Sequence, residues 1–174
     1  SLKLEFEVSP DKNKTNRLTV DKQLRLRIDT NGRSKFTWII NGKPRPNLRA
    51  QTLSSDDFDK GDEISARVEV TKGHRRKTET IKKKVVNMAP EWRRGCQGIS
   101  GNPSGYTVKA VDPDSNAAVR YSLKGEPKGL TIGQTSGMLS YQGVDARPGS
   151  YRVSIIATDA EGDTADHCAF SMKI

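Results

Sequence analysis

Apolar residues in this chain recur at every second position almost from end to end, and that period belongs to strands whose two faces meet different surroundings. Leu24, Leu26 and Ile28 alternate with Arg25 and Arg27. Ile64, Ala66, Val68 and Val70 alternate with Ser65, Arg67 and Glu69, and Tyr151, Val153, Ile155 and Ala157 alternate with Arg152, Ser154 and Ile156. Turn-forming residues separate these runs: Asn31-Gly32, Asn41-Gly42, Lys60-Gly61-Asp62, Lys72-Gly73, Asp112-Pro113-Asp114, Pro127-Lys128-Gly129, Pro148-Gly149 and Glu161-Gly162-Asp163. No segment of helical length shows a 3.6-residue period, and Ser54 to Lys60 reads as one turn leading into a strand. The pattern predicts an all-β chain with turns at the spacing of a sandwich.

Composition bears on how many sandwiches. Only 33% of the 174 residues are hydrophobic and the mean hydropathy is −0.73, which suits thin cores with one solvated face per sheet. The charge is divided. Residues 1–87 hold 21 Lys and Arg against 12 Asp and Glu, whereas residues 88–174 hold nine of each, so the whole net charge of +9 lies in the first half. We therefore expect two domains, 1–87 and 88–174, with different surfaces. No run approaches the roughly 18 apolar residues of a membrane helix. The first residues show neither a basic stretch nor an apolar stretch of a signal peptide, as expected of a mature or trimmed chain.

The second half carries Val108-Lys-Ala-Val-Asp112-Pro-Asp114-Ser-Asn116, then Tyr121-Ser-Leu123, Leu130-Thr-Ile-Gly-Gln-Thr-Ser-Gly137, and Tyr151 to Asp159 followed by Ala-Glu-Gly162. This series resembles the cadherin-like and dystroglycan-type immunoglobulin-like domains of secreted bacterial proteins. In the first half, Phe36-Thr-Trp38-Ile-Ile-Asn41-Gly42, Phe58-Asp-Lys-Gly61-Asp62-Glu-Ile64 and Val86-Asn87-Met-Ala-Pro90 resemble bacterial immunoglobulin-like repeats over roughly residues 15–90. The resemblance implies two tandem immunoglobulin-like or cadherin-like β-sandwiches, with Trp38 a core anchor.

It also implies how the two cysteines relate. Terminal strands of such sandwiches are often neighbours, with Cys96 near the first strand and Cys168 in the last, so a disulfide is expected. A bridge over that interval would stabilise by about 4 kcal/mol on the chain-entropy model. Two buried thiols in a reducing compartment are the alternative.

Cadherins of the calcium-binding kind use residues at the places of Glu91, Asp112, Asp114 and Asp159, and calcium needs six to eight oxygen ligands. Here the linker Val86-Asn87-Met88-Ala89 lacks the usual acids, Val144-Asp145-Ala146-Arg147 stands at the acidic motif, and Trp92-Arg93-Arg94 follows Glu91. Turn capping is the favoured role of these aspartates. No cofactor is expected, with calcium as the alternative.

Chemistry of other kinds has little support. His74 and His167 stand apart, and nucleophile-elbow, Cys-x-x-Cys, His-Glu-x-x-His and phosphate-loop patterns are missing, so no enzyme is expected. Two basic clusters remain, Lys72, Arg75, Arg76 and Lys77 at a hairpin tip and Lys82, Lys83 and Lys84 on the strand after it. Strand alternation sets Lys82 and Lys84 on one face and Lys83 on the other. Such a field attracts an acidic protein or polysaccharide surface. With aromatics at 6%, the stacking platform of single-strand binders is missing and nucleic acid is disfavoured. Simple solvation and edge protection by lysine is the competing view.

The expectation is thus a non-catalytic binding or structural module, secreted, periplasmic or on the cell surface, with self-assembly through a sheet edge compatible with it. A carbohydrate-binding accessory module of a secreted hydrolase is the alternative; it would need exposed aromatics, for which Trp92, Tyr121 and Tyr141 are the candidates.

Overall fold

The computed structural model describes residues 1–174, which divide into two compact units, Ser1–Asn87 and Met88–Ile174. Each unit has its own buried cluster. The first contains β1 (Leu2–Ser9), β2 (Gln23–Thr30), β3 (Arg33–Ile40), β4 (Lys43–Pro44), β5 (Thr52–Leu53), β6 (Glu63–Lys72) and β7 (Arg75–Lys84). The second contains β8 (Glu91–Arg94), a 3-10 turn at Cys96–Gly98, β9 (Lys109–Val111), β10 (Arg120–Lys124), β11 (Leu130–Ile132), β12 (Leu139–Tyr141), β13 (Ser150–Thr158) and β14 (Ala169–Lys173). The protein is all-β.

In the first unit a three-stranded sheet, β1-β2-β5, faces a four-stranded sheet, β4-β3-β6-β7. All strand pairs within these sheets are antiparallel. The period of two decides what lies between them. Phe6 and Val8 from β1, Leu24 and Leu26 from β2 and Leu53 from β5 meet Trp38, Ile64, Ala66, Val68 and Val70 from the other sheet. Arg25, Arg27 and Arg67 point the other way and are exposed.

Trp38 lies at the centre with no exposed surface. Its ring stacks on Phe6 at 6.0 Å between centroids and meets the edge of Phe36 at 6.3 Å, while its Nε1 donates to the Ala50 carbonyl at 2.8 Å. The indole N–H is thus satisfied where water cannot reach it, as burial of a polar group requires.

Tight turns close the hairpins. Between β3 and β4, Asn41 and Gly42 both take positive φ, 53° and 78°, which is the backbone of a two-residue turn whose twist matches the flanking strands. Gly73, at φ 61°, opens the two-residue turn between β6 and β7. Leu18 pairs in parallel with Val85 just past the end of β7, and both side chains are buried.

The second unit is made of a three-stranded sheet, β10-β13-β14, and two ribbons, β8-β9 and β11-β12. Val153, Ile155 and Ala157 of β13 fill its centre with Tyr121, Leu139, Phe170 and Met172. Tyr121 is buried, its hydroxyl accepting from Ala110 N–H at 2.8 Å. It is therefore a core residue and not one of the exposed aromatics suggested by sequence; the alternation along β10 turns Tyr121 inward and Ser122 outward.

Cys96 and Cys168 form a disulfide with Cα atoms 5.4 Å apart. Neither cysteine sits within a strand: Cys96 opens the 3-10 turn after β8, and Cys168 precedes β14 by one residue. Backbone pairing continues past the end of β14, since Ile155 N–H donates to the Cys168 carbonyl at 2.8 Å. That holds Cys168 in register beside β13, where the turn brings Cys96 to it.

Candidate functional site: a basic sheet face

The two sheets of the first unit handle charge on their outer faces in opposite ways. On β1 and β2 the outward residues are Lys3, Glu5 and Glu7 against Arg25, Arg27 and Asp29, and the register sets Lys3 opposite Asp29, Glu5 opposite Arg27 and Glu7 opposite Arg25. Every cross-strand pair is of opposite sign, and Arg27 also reaches Glu7 at 3.2 Å along the diagonal. Such pairs support the sheet and cancel its field.

The outer face of β3, β6 and β7 has no such balance. Register makes rows across it: Arg33, Thr71 and Arg76; Lys35, Glu69 and Thr78; Thr37, Arg67 and Thr80; Ile39, Ser65 and Lys82; then Glu63 and Lys84. Six cations meet two acids, and all six cations are exposed. Glu63 is engaged by Lys82 at 3.6 Å. Arg67 stands on β6, an interior strand of the sheet, whereas Arg33 and Lys35 lie on the stretch of β3 that β4 does not reach, since β4 pairs only with Ile39 and Ile40. Basic residues placed to guard a free edge account for charges on β7 and on that stretch of β3, but Arg67 has no edge to guard.

The seven basic residues singled out from sequence are divided by this geometry. Arg76, Lys82 and Lys84 belong to the outer face, while Lys72, Arg75, Lys77 and Lys83 fall on the opposite side of the hairpin, in register with Val70 and its buried neighbours. Arg33, Lys35 and Arg67 complete the outer face and were not among the clusters visible in sequence, because each lies alone between uncharged or acidic neighbours. Alternation within β3 and β6 was the available signal; the pairing of those strands was not.

The inward side of β7 is itself informative. It presents Lys77, Glu79, Ile81 and Lys83 in turn, with Lys77 bound to Glu79 at 2.7 Å. Inward charges on an edge strand oppose the addition of a further strand. Lys83 is half-buried beside this core, and desolvation lowers its pKa, with the Asp11 carboxylate partly opposing that shift. The unfolded chain thus holds the Lys83 proton more tightly than the folded one, so this residue's contribution to stability improves as pH rises from the lowered folded value toward the ordinary lysine value. Lys83→Met should raise the urea midpoint at neutral pH by an increment worth up to about 1 kcal/mol, with a larger gain at neutral pH than above pH 10.5; an unchanged or lower midpoint would contradict this account.

Open grooves border the face. One of about 430 Å³ is lined by Asn31, Gly32, Arg33, Thr71, Lys72 and Gly73 at the hairpin end, and another of about 410 Å³ sets Lys35, Arg45 and Arg49 beside Phe36, Pro46 and Leu48. The first places cations beside a threonine hydroxyl, a lining suited to anions bearing neutral polar groups, whereas the second is largely apolar.

In the second unit the acidic residues have local tasks. Asp112 Oδ1 accepts from Asp114 N–H at 3.2 Å and Asp114 Oδ2 from Met88 N–H at 2.7 Å. Asp159 is buried, and its Oδ1 accepts from both Glu161 and Asp163 N–H at 3.0 and 2.9 Å. Glu91 pairs with Arg93 at 3.6 Å. Trp92 is half-buried; it stacks on Tyr121 at 6.3 Å and donates through Nε1 to the Asp166 carbonyl at 2.8 Å. Tyr141 is half-buried as well.

The architecture is all-β, of the immunoglobulin-like sandwich kind. Residues 95–174 match the family model described as Putative Ig domain. No curated protein matches the chain. Among solved structures it is similar to Drosophila N-cadherin EC1-3, at 14% identity and TM-score 0.40, covering 86% of this chain and 56% of that one. It is also similar to human protocadherin-24 EC1-2, at 14% identity and TM-score 0.41, covering 86% of each. A third is the SGBP-B of the Bacteroides ovatus mixed-linkage glucan utilization locus, at 15% identity and TM-score 0.31, covering 97% of this chain and 47% of that one. The chain spans about half the length of several of the structures it resembles. No helix is long and apolar enough to cross a membrane, and disulfides such as Cys96–Cys168 persist in oxidising compartments outside the cytosol.

Proposed function

We propose that this chain is a non-catalytic binding module working in an extracytoplasmic compartment, and that its first unit captures an acidic partner through a basic surface. The observation that supports this most is the contrast between two sheets of one small domain. One outer face is neutralised pair by pair, whereas the other sets Arg33, Lys35, Arg67, Arg76, Lys82 and Lys84 against two acids. Like charges gathered on one face destabilise the fold slightly by self-repulsion, which makes a surface of this kind costly to maintain without a ligand. The disulfide supports the compartment.

The mechanism is electrostatic complementarity. A partner of opposite sign is steered to the face, associates quickly and is held by exposed charge pairs. Salt is the direct test, because the screening length falls from about 10 Å at 0.1 M to about 3 Å at 1 M ionic strength. Intact protein should be retained on immobilised polygalacturonate or poly-L-glutamate at about 0.1 M salt and released well before about 1 M. Failure to bind either polyanion at low salt, or binding that is the same at both ionic strengths, would overturn the reading.

A further inference from the structure

The placement of the cations narrows the partner, and this step rests on the basic-surface reading above. Lys35 on β3, Arg67 on β6 and Lys82 on β7 occupy successive rows and successive strands. They form a diagonal, extended by Arg33 at one end and Lys84 at the other. Rows along one face are two residues apart and strands are neighbours, so each diagonal step covers about 8 Å. Five cations therefore track one line across the sheet. Glu69 and Glu63 lie beside this line on β6, in the rows of Lys35 and Lys84.

What fills the rest of the face excludes two kinds of partner. A protein interface is anchored by buried aromatic or aliphatic side chains, yet the outward positions here hold Thr37, Thr71, Thr78 and Thr80, a buried Ser65 and only one apolar residue, the half-buried Ile39. Single-stranded nucleic acid is held by stacking on aromatics, and no outward position of β3, β6 or β7 is aromatic. Spaced cations among hydroxyls suit a chain that alternates anionic groups with neutral hydroxyls. We infer that the outer face of the four-stranded sheet binds a linear acidic polysaccharide laid along the diagonal from Arg33 to Lys84, its carboxylates meeting the cations and its sugar hydroxyls meeting the threonines.

Two variants that remove the same charge test the geometry. One carries Arg33→Gln, Lys35→Gln, Arg67→Gln and Lys82→Gln on the diagonal. The other carries Arg75→Gln, Lys77→Gln and Lys83→Gln on the opposite side of the hairpin and Arg25→Gln on the outer face of the other sheet. Each is confirmed as folded by circular dichroism, and binding of the full chain to polygalacturonate, poly-L-glutamate and oligothymidylate is measured at fixed low salt. The diagonal variant should lose at least tenfold in affinity for polygalacturonate and the opposite variant less than threefold, with the unaltered protein preferring polygalacturonate to both other polymers. Equal losses in the two variants would mean a diffuse field and overturn the proposal. Poly-L-glutamate or oligothymidylate bound as tightly as polygalacturonate would overturn it too while leaving the basic-surface reading standing. Binding to none of the three would remove both. Should the diagonal variant fail to fold, Arg67→Gln and Lys82→Gln as a pair, against Arg75→Gln and Lys77→Gln, carry the same comparison with a threefold loss expected for the first pair only.

Discussion

Trp38→Ala should cost the first unit about 3–5 kcal/mol, the range for emptying a large aromatic site in a core. The ring has no exposed surface, two aromatic neighbours and a hydrogen bond to the Ala50 carbonyl, so the change leaves a cavity, while Ala50 is itself exposed and its carbonyl can accept from water instead. Small domains have about 5–15 kcal/mol in all, and most of a small sandwich's margin would be gone. The measurement is favourable because the chain has two tryptophans, Trp38 in the first unit and Trp92 in the second. Urea unfolding of Trp38→Ala followed by far-ultraviolet circular dichroism should show an early transition, while Trp92 fluorescence reports a second transition near its original midpoint. Trp38→Phe, which keeps most of the volume, should recover part of the loss. A Trp38→Ala midpoint equal to the parent's would mean that the two sheets are held together elsewhere.

Removal of the Cys96–Cys168 bridge should have an effect of similar size in the second unit. The bridge joins residues separated by 72 positions, and on the chain-entropy model a loop of that length contributes about 4 kcal/mol by restricting the unfolded chain. For a unit of this size that corresponds to a fall of roughly 15–30 °C in melting temperature. The paired variant Cys96→Ser with Cys168→Ser should melt earlier by that amount when followed through Trp92, and reductant should leave it unchanged while bringing the parent down to it. Both cysteines are buried, so reduction of the folded parent should be slow and should quicken near the melting temperature. A paired variant that melts with the parent would show that the turn at Cys96–Gly98 is held in place without the bridge.

These predictions draw on different layers of information. Ile64, Ala66, Val68 and Val70 could be assigned to the interior from the period of two, because a strand offers only two faces and a hydrophobic row has one place to go, and Trp38 from the resemblance to immunoglobulin-like repeats and the burial that a large aromatic carries. The all-β class followed from the same period. The disulfide was expected from the resemblance of the second half to immunoglobulin-like domains, with Cys96 near the first strand, as found, and Cys168 in the last, which it instead precedes by one residue. Strand ends are set by pairing and by the bridge itself, neither of which leaves a local mark. Tyr121 was read as a candidate exposed aromatic and is buried, since a lone Tyr at the start of a five-residue strand does not reveal which face the partner strands cover.

The basic face shows the division most clearly. By itself the sequence determined that all the excess positive charge lies before residue 88 and that adjacent lysines on β7 must point to opposite sides, because charge is a sum over residues and alternation is a property of the extended backbone. Only the tertiary structure decided which cations share a surface. Antiparallel register set Lys35 beside Glu69, Arg67 beside Thr80 and Lys82 beside Ser65, and moved four of the seven conspicuous basic residues to the other side. Neighbours on a sheet are separated by tens of positions along the chain, and a one-residue change in register would exchange the two faces.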